Sequence, residues 1–384
     1  MMTKGGDRSW VSEIKPMPGG DQEHSWKPVT TGNTTSLDYW LNWRFSLCAG
    51  SVISSMIISF ILIRRYEGLG QENKAESQRQ MKQKETDHVG TVYDDDSWRP
   101  CLKYIHPAWL LAFRLTAFFV LSGLLTVYVS IEGTQTFYYY TQWTFGFDIV
   151  YFGLGSLLSI YGCRQFCKEV NDIRVDQFEP DEEQKGTYVV ARLEINTRSK
   201  GGGNTADIWG YLFQIIFQIN AGAVVLTDLI FWVIFVPFLE MKQYNVNLLM
   251  IVMHSVNAVF LLGDVAINSL RFPVFRIAYF LLWTGIYVLF QWIVHAFISF
   301  WYGLHFFVLF FSKDEENQET AYFGLSRWPY PFLDVSSQYS PLWYLLVAVL
   351  HLPSYAIFFL IIKTKHWMLS RCFPYSHTLY VFEK

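Results

Sequence analysis

The chain has 384 residues, of which 52% are hydrophobic and 18% aromatic but only 16% charged. Soluble domains carry about 25% charged residues, so this composition, with its charge segregated into a few segments, excludes a single water-soluble domain and predicts a multispan membrane protein. A net charge of -3 argues against nucleic-acid binding, and five scattered Cys residues exclude a disulfide framework.

Seven apolar stretches are long enough to cross the hydrocarbon layer, which takes about 20 helical residues. In chain order they are residues 45–63, 112–131, 138–161, 208–239, 246–267, 274–300 and 342–362. The fourth and sixth exceed the required length, which predicts tilt, a kink or extra turns beyond the lipid. Leu304 to Phe311 is apolar but too short to span, so we interpret it as interfacial or re-entrant. The predicted fold is all-α, a polytopic transmembrane helix bundle of about seven spans.

Polar and charged segments divide the chain around these spans. We expect a polar N-terminal tail (1–44), an additional N-terminal span (45–63), a charged loop (64–107), a membrane core (108–362) that contains a mobile loop (164–207), and a C-terminal tail (363–384). One membrane domain is the simplest organisation of these regions.

Lys and Arg are unequally distributed between the two sides of the predicted spans. The side of the charged loops carries 21 of them and the opposite side carries 8. The positive-inside rule therefore places the richer side and the C-terminus in the cytosol, although the organelle, endoplasmic reticulum or plasma membrane, stays open. Asn33 begins the only N-glycosylation sequon, in the tail placed outside. Cys163 and Cys167, at the end of the third span, are either inert small side chains or palmitoylation sites.

Asp148, Asp228 and Asp264 lie inside predicted spans, where a single Asp costs about 2.5 to 3.5 kcal/mol. Each needs a partner or water and must face the inside of the bundle. Further polar residues, on five of the spans, are Thr141, Thr144, Gln214, Gln218, His254, Asn257, Gln291, His295 and His351. We expect a hydrated pocket within the bundle.

Thr141 and His254 are the candidate catalytic pair. A hydroxyl nucleophile needs a base beside it, and neutral imidazole suits that role near pH 7. Counted at about 1.5 Å per residue, both fall in the same half of the bilayer. Asp148 is a candidate to orient the imidazole. The candidate oxyanion donors are Gln142, Asn257 and His295.

Two alternatives compete with this interpretation. Threonines inside helices often bond their own backbone, and histidines brace neighbouring helices, which we favour for Thr144 and His351. A metal site would use ligand-type atoms of His254, His295, Asp148 and Asp264. The chain lacks an HExxH motif and paired i, i+4 histidines, so we expect neither a metal nor another cofactor.

Four segments together resemble the androgen-induced-gene and rolling-stone family of multispan membrane proteins. They are YYYTQWTF (138–145), NLLMIVMHSVNAVFLLGDVAINSL (247–270), WIVHAF (292–297) and YPFLDVSS (330–337). The order and spacing of the hydrophobic segments are also similar from about Ala108 to Ile362, roughly two thirds of the chain. The additional first span and the long loop 162–207 depart from the family pattern.

This resemblance implies an intramembrane lipid hydrolase that cleaves fatty acid esters of hydroxy fatty acids with a Thr and a His. The Thr falls on Thr141 in YYYTQW and the His on His254 in VMHSVN. Other members are discussed in cell fusion. The expected partners are membrane lipids and a lipid ester substrate, with no nucleic acid, and protein partners stay open. The alternative is a non-catalytic membrane protein that acts as an adaptor, lipid binder or transporter.

Overall fold

The computed structural model describes residues 37–77, 92–102, 104–176, 206–235, 248–309 and 328–373. Seven long helices dominate these residues, and the described part of the chain contains no β-strand. The helices are α1 (Trp43–Ser77), α2 (Pro107–Glu132), α3 (Tyr140–Asp176), α4 (Ile208–Leu229), α5 (Leu248–Ile267), α6 (Ile277–Leu309) and α7 (Ser340–Cys372). The predicted sequon at Asn33 lies outside the described residues, as do most of the tails and the middle of both charged loops.

All seven helices are long and apolar enough to cross a membrane, and each overlaps one predicted span. The predicted all-α polytopic bundle is therefore confirmed, and the protein is an integral, multi-pass membrane protein. Two helices continue into segments predicted as loops, since α1 extends to Ser77 and α3 to Asp176. Residues 304–309 of the segment predicted as interfacial or re-entrant continue α6, which runs without a break to Leu309.

Local sequence signals explain where several helices begin and end. Side chains of Asn42, His106 and Asp207 accept hydrogen bonds from backbone N–H groups in the first turns of α1, α2 and α4. Such caps satisfy donors that have no partner within the helix. Pro107 occupies the first position of α2, where its missing N–H costs nothing. Gly133 ends that helix with φ 80°, a conformation that disfavours other residues.

Helix α4 forms the centre of the bundle and packs against α3, α5, α6 and α7. About two thirds (67%) of its span is buried, against 11% of α1, which packs on the outside against α6 and α7. Gly222 permits close approach of α6, because a Cβ atom there would lie 2.4 Å from a ring carbon of Phe280. Helix α4 is followed directly by a π-helix over Ile230–Phe235. Such π segments often accompany functional sites.

The bundle has two distinct ends. We call one end the aromatic side, which consists of residues 37–44, 133–141 and 328–340. We call the other the loop side, which consists of residues 92–106 and 268–276. On the aromatic side, Asp334 accepts a hydrogen bond from the Tyr39 hydroxyl at 2.6 Å, and this joins the chain before α1 to the segment before α7. On the loop side, Pro100 pairs with Asn268 in a single β-bridge.

Candidate functional site

Asp264 lies near the loop side and is fully satisfied by protein partners. The guanidinium of Arg114 lies 2.7 Å from its carboxylate, and both side chains are fully buried. The hydroxyl of Tyr151 and the amide of Asn268 donate to the same carboxylate. Arg114 also donates to the carbonyl of Ser97 at 2.7 Å. The prediction that Asp264 needs a partner is confirmed, and these contacts give it a structural role.

Asp148 presents the opposite situation in the half of the bundle nearer the aromatic side. Its side chain is fully buried on α3, yet neither carboxylate oxygen has a hydrogen-bond partner among the described residues. The charged group that acts on it electrostatically is Asp228, one residue before the end of α4. A buried carboxylate without a partner is costly and, inside a membrane, is a candidate for a functional role.

Asp228 and His254 face each other across the contact between α4 and α5. Nδ1 of His254 lies 3.8 Å from the Asp228 carboxylate. The imidazole stacks on Phe231 of the π-helix, with ring centroids 4.0 Å apart and planes within 5°. The stack orients the plane of the imidazole, and the carboxylate lies beside its Nδ1 edge without a hydrogen bond.

Asn257 lies one turn beyond His254 on α5 and completes the group. Its side chain interacts with the Asp228 carboxylate, while its own Oδ1 has no hydrogen-bond partner among the described residues. We call Asp148, Asp228, His254 and Asn257 the central cluster. It brings together three helices and three of the predicted site residues, which are Asp148, His254 and Asn257.

Asp228 is the residue that the sequence interpretation left out of the site. Asp148 was the candidate to orient His254, but the carboxylate that pairs with the imidazole belongs to Asp228. The sequence contains a weak signal for this, since Asp228 is an acidic residue inside a span at i, i+3 from the aromatic Phe231. The pairing itself depends on the crossing of α4 and α5, which no spacing within one helix reveals.

Thr141 lies in the first turn of α3, and its surroundings differ from those of His254. Its side chain interacts with the phenol of Tyr330, a residue of the segment before α7. Burial raises the pKa of the Tyr330 phenol, which keeps the hydroxyl protonated. Among the hydrogen bonds of the described residues, none joins Thr141 to His254. The catalytic pair therefore stays a prediction from the sequence.

An alcohol and an imidazole do meet elsewhere in the bundle. Nε2 of His351 lies 2.8 Å from Oγ1 of Thr284, and its Nδ1 lies 2.7 Å from the carbonyl of Val347. The hydroxyl of Tyr140 contacts the same threonine at 2.9 Å. Because His351 is only 2% exposed and both of its ring nitrogens are occupied, it braces α7 against α6. The structural interpretation of His351 is confirmed, as is that of Thr144, whose hydroxyl bonds to the Tyr140 carbonyl.

His295 lies apart from the central cluster, on the aromatic side. Its ring stacks on Trp328 at 3.9 Å between centroids, and the nearest acidic influence is Asp334. The four ligand-type residues of the alternative metal site are thus divided, with Asp264 on Arg114 and His295 on Trp328. Within the described ranges, no group of three or more His, Cys, Asp or Glu residues is arranged to hold a metal ion.

Aromatic residues close the aromatic side above the central cluster. Tyr330 contacts Tyr139 edge to face at 5.8 Å and stacks on Phe332 at 5.2 Å. The hydroxyl of Tyr344 donates to the carbonyl of Leu333 and thereby anchors the segment to α7. Rings of this kind are stable at a membrane interface, where one edge is apolar and the other is wet.

Comparison with family models, with curated proteins and with solved structures found no match to this chain. The functional assignment consequently depends on the residues and their geometry.

Proposed function

We propose that this protein is an intramembrane lipid esterase in which His254 acts as the base, Asp228 orients it and Thr141 is the nucleophile. The observation that carries the proposal is the Asp228–His254 pair, held at 3.8 Å and stacked on Phe231 inside an apolar bundle. At 3.8 Å the two groups are not hydrogen-bonded, so in the proposed mechanism the Asp228 carboxylate closes on Nδ1 and then selects the tautomer whose Nε2 accepts a proton, as in hydrolase triads.

The chemistry proceeds in two stages. Thr141 attacks the ester carbonyl while Nε2 of His254 takes the hydroxyl proton, and the protonated imidazole then donates to the leaving alcohol. Water, activated by the same imidazole, attacks the threonyl ester and releases the fatty acid. Asn257 is the favoured oxyanion donor of the three candidates, because it lies in the central cluster while His295 stacks on Trp328.

Contact between Thr141 and His254 requires the threonine to leave Tyr330. Catalytic hydrogen bonds are often long without substrate and shorten when it binds. Along the helix axes, Thr141 stands at the start of α3 and His254 about 9 Å into α5, both from the aromatic side. An ester that enters from the outer half of the bilayer meets both residues in turn. The resemblance to the androgen-induced-gene family supports fatty acid esters of hydroxy fatty acids as the substrate class.

Hydrolysis by purified protein in lipid nanodiscs tests the assignment. Branched fatty acid esters are the substrates, and Thr141→Ala and His254→Ala should each abolish turnover. Asp228→Asn should lower kcat by about 100-fold or more, because it favours the wrong tautomer. Thr284→Ala is the matched control, since it removes the alcohol of the Thr284–His351 contact and should leave turnover unchanged.

Several outcomes would contradict the proposal. These are the absence of turnover by the wild-type protein, turnover retained in both Thr141→Ala and His254→Ala, and loss of turnover in Thr284→Ala at unchanged thermal stability. Each variant is therefore checked for thermal stability in the same nanodiscs.

A second candidate function is transport or lipid binding without covalent chemistry. The unpartnered carboxylate of Asp148 favours it, because intramembrane acidic residues also mark ion and proton pathways. A fluorophosphonate probe separates the two functions. Covalent labelling of the wild-type protein that is lost in Thr141→Ala would exclude the non-catalytic function. Absence of labelling, together with an ion flux that depends on Asp148, would support the non-catalytic function.

A further inference from the structure

Two thiols stand one turn apart near the loop-side end of α3. Cys163 is half-buried and Cys167 is exposed. Arg164 and Lys168 follow them directly in the chain. These four side chains and Asn171 border a shallow, open depression on the outer surface of α3.

Their depth along α3 places both thiols at the membrane surface. The helix begins at Tyr140 on the aromatic side, and about 20 residues cross the 30 Å hydrocarbon layer. The hydrocarbon therefore ends near residue 160. Cys163 lies about 5 Å beyond that point, at the level of the lipid headgroups, and Cys167 lies about 10 Å beyond it, just outside them. Cationic side chains such as Arg164 and Lys168 are favourable at this level.

The other described cysteines differ in a way that supplies controls. Cys48 and Cys101 are buried, at 0% and 2% exposure, and the thiol of Cys101 faces the carbonyl of Ala266. Cys372 is exposed, but it is the last residue of α7, a helix of 33 residues. Its axial distance from the hydrocarbon edge is about 18 Å, too far for a chain on its sulfur to lie in the lipid without bending back.

We propose that Cys163 and Cys167 are S-acylated with long-chain fatty acids. The thiolate sulfur attacks the thioester carbonyl of a long-chain acyl-CoA, and a new carbon–sulfur bond forms. The bond between the acyl carbon and the CoA sulfur breaks, and the CoA thiolate takes up the proton that the cysteine gave away. The attached chains return to the hydrocarbon beside α3, where the surface around both cysteines is open.

Acyl-CoA is a cytosolic reactant, so the proposal requires the loop side to face the cytosol. The excess of Lys and Arg on the segments of this side, 21 against 8, supports that orientation. The proposal is independent of the esterase activity, because neither cysteine belongs to the central cluster. Failure of one proposal therefore leaves the other unaffected.

Thioester-specific mass tagging of the full-length protein from a eukaryotic expression host tests the proposal. Existing thiols are blocked, thioesters are cleaved with neutral hydroxylamine, and the released thiols take a 5-kDa maleimide tag. We expect hydroxylamine-dependent species with one and two tags in the wild-type protein. Cys163→Ser and Cys167→Ser should each remove the doubly tagged species, and the double variant should remove both. Cys372→Ser is the matched exposed control and should leave the pattern unchanged.

A second measurement uses an alkyne analogue of palmitate that is fed to the same cells. Label should be incorporated in the wild-type protein and in Cys372→Ser, and should be lost in the double variant. Untagged wild-type protein, tags that persist in the double variant, or tags that disappear in Cys372→Ser would each overturn the proposal. Equal thermal stability of the double variant and the wild type confirms that the variant folds.

Discussion

Asp264 and Asp148 are the same residue type, equally buried in the same bundle, yet their surroundings are opposite. Asp264 has an arginine, a tyrosine and an asparagine on its carboxylate. Asp148 has no hydrogen-bond partner among the described residues and faces the second carboxylate of Asp228. A buried charge that is fully paired can hold helices together, whereas a buried charge without partners lowers stability. The two halves of this bundle therefore differ in how their buried carboxylates are satisfied.

The packing around the two residues agrees with that division. On the loop side, Trp98 lies against Gly162 and is 1% exposed, so the segment before α2 seals the end of the bundle. Nearer the aromatic side, the central cluster combines a π-helix, a stacked imidazole and several unpaired oxygens. The buried carboxylate of Asp264 on the loop side is ion-paired, whereas the carboxylate of Asp148 in the central cluster has no hydrogen-bond partner among the described residues.

The largest effect is expected from Arg114→Met. The substitution leaves the Asp264 carboxylate buried without a counter-charge, which costs about 3 to 5 kcal/mol of unfolding free energy. Unfolding in mixed detergent micelles, followed by circular dichroism, measures the loss. Arg164→Met is the control, because Arg164 is exposed at the membrane surface and its loss should change stability by less than about 0.5 kcal/mol.

The comparison is sharpest for the pair Asp264→Asn and Asp148→Asn. The first removes half of an ion pair and should cost about 3 kcal/mol of unfolding free energy. The second replaces an unpartnered carboxylate by a neutral group of equal size and should leave that free energy unchanged or raise it by about 1 kcal/mol. The same unfolding assay measures both. Equal losses of unfolding free energy in the two variants would mean that Asp148 has a structural role like that of Asp264, which would contradict the difference drawn between them.

A smaller loss of stability is expected from a substitution at the contact between Gly162 and Trp98 on the loop side. In Gly162→Ala, the new methyl group would lie 2.1 Å from Cγ and 2.6 Å from Cβ of Trp98, so the whole Trp98 side chain must shift, at a cost of about 1 to 3 kcal/mol. Gly146→Ala, on the same helix with nothing within 4 Å of the new atom, should be neutral. Thermal unfolding with tryptophan fluorescence records both variants. Similar melting temperatures for Gly162→Ala and Gly146→Ala would show that Trp98 can shift at little cost, which would contradict the prediction.

The smallest loss of stability is expected from a substitution of Tyr39 on the aromatic side. Tyr39→Phe removes a hydroxyl that donates to Asp334 and accepts from Trp328, and should cost about 1 kcal/mol. Burial and the Asp334 carboxylate raise the pKa of this tyrosine, so its hydroxyl stays protonated and able to donate in ordinary assays. Tyr104→Phe is the control, because Tyr104 is 85% exposed. Indistinguishable melting temperatures for the two variants would argue against a fixed aromatic side.

The sequence predicted the spans well because apolar length decides whether a helix crosses a bilayer. It predicted the helix ends less well, since α3 continues through charged residues to Asp176 and α6 continues to Leu309. Charged residues lower the hydropathy of a segment but do not prevent it from forming a helix. Spans predicted from hydropathy are therefore shorter than the helices, which continue beyond the membrane surface. At the site, the sequence selected Asp148, His254 and Asn257 because lipid rejects unpaired polar groups, and these three do lie in one cluster.

The sequence by itself determined the class of protein, the number of spans and the need for inward-facing polar residues. These follow from composition and period, which are properties of one segment at a time. Which residues meet across helices was decided only by the tertiary structure. It paired His254 with Asp228, brought His351 to Thr284 and gave Asp264 its arginine, because crossing angles and rotation of each helix set distances between positions far apart in the chain.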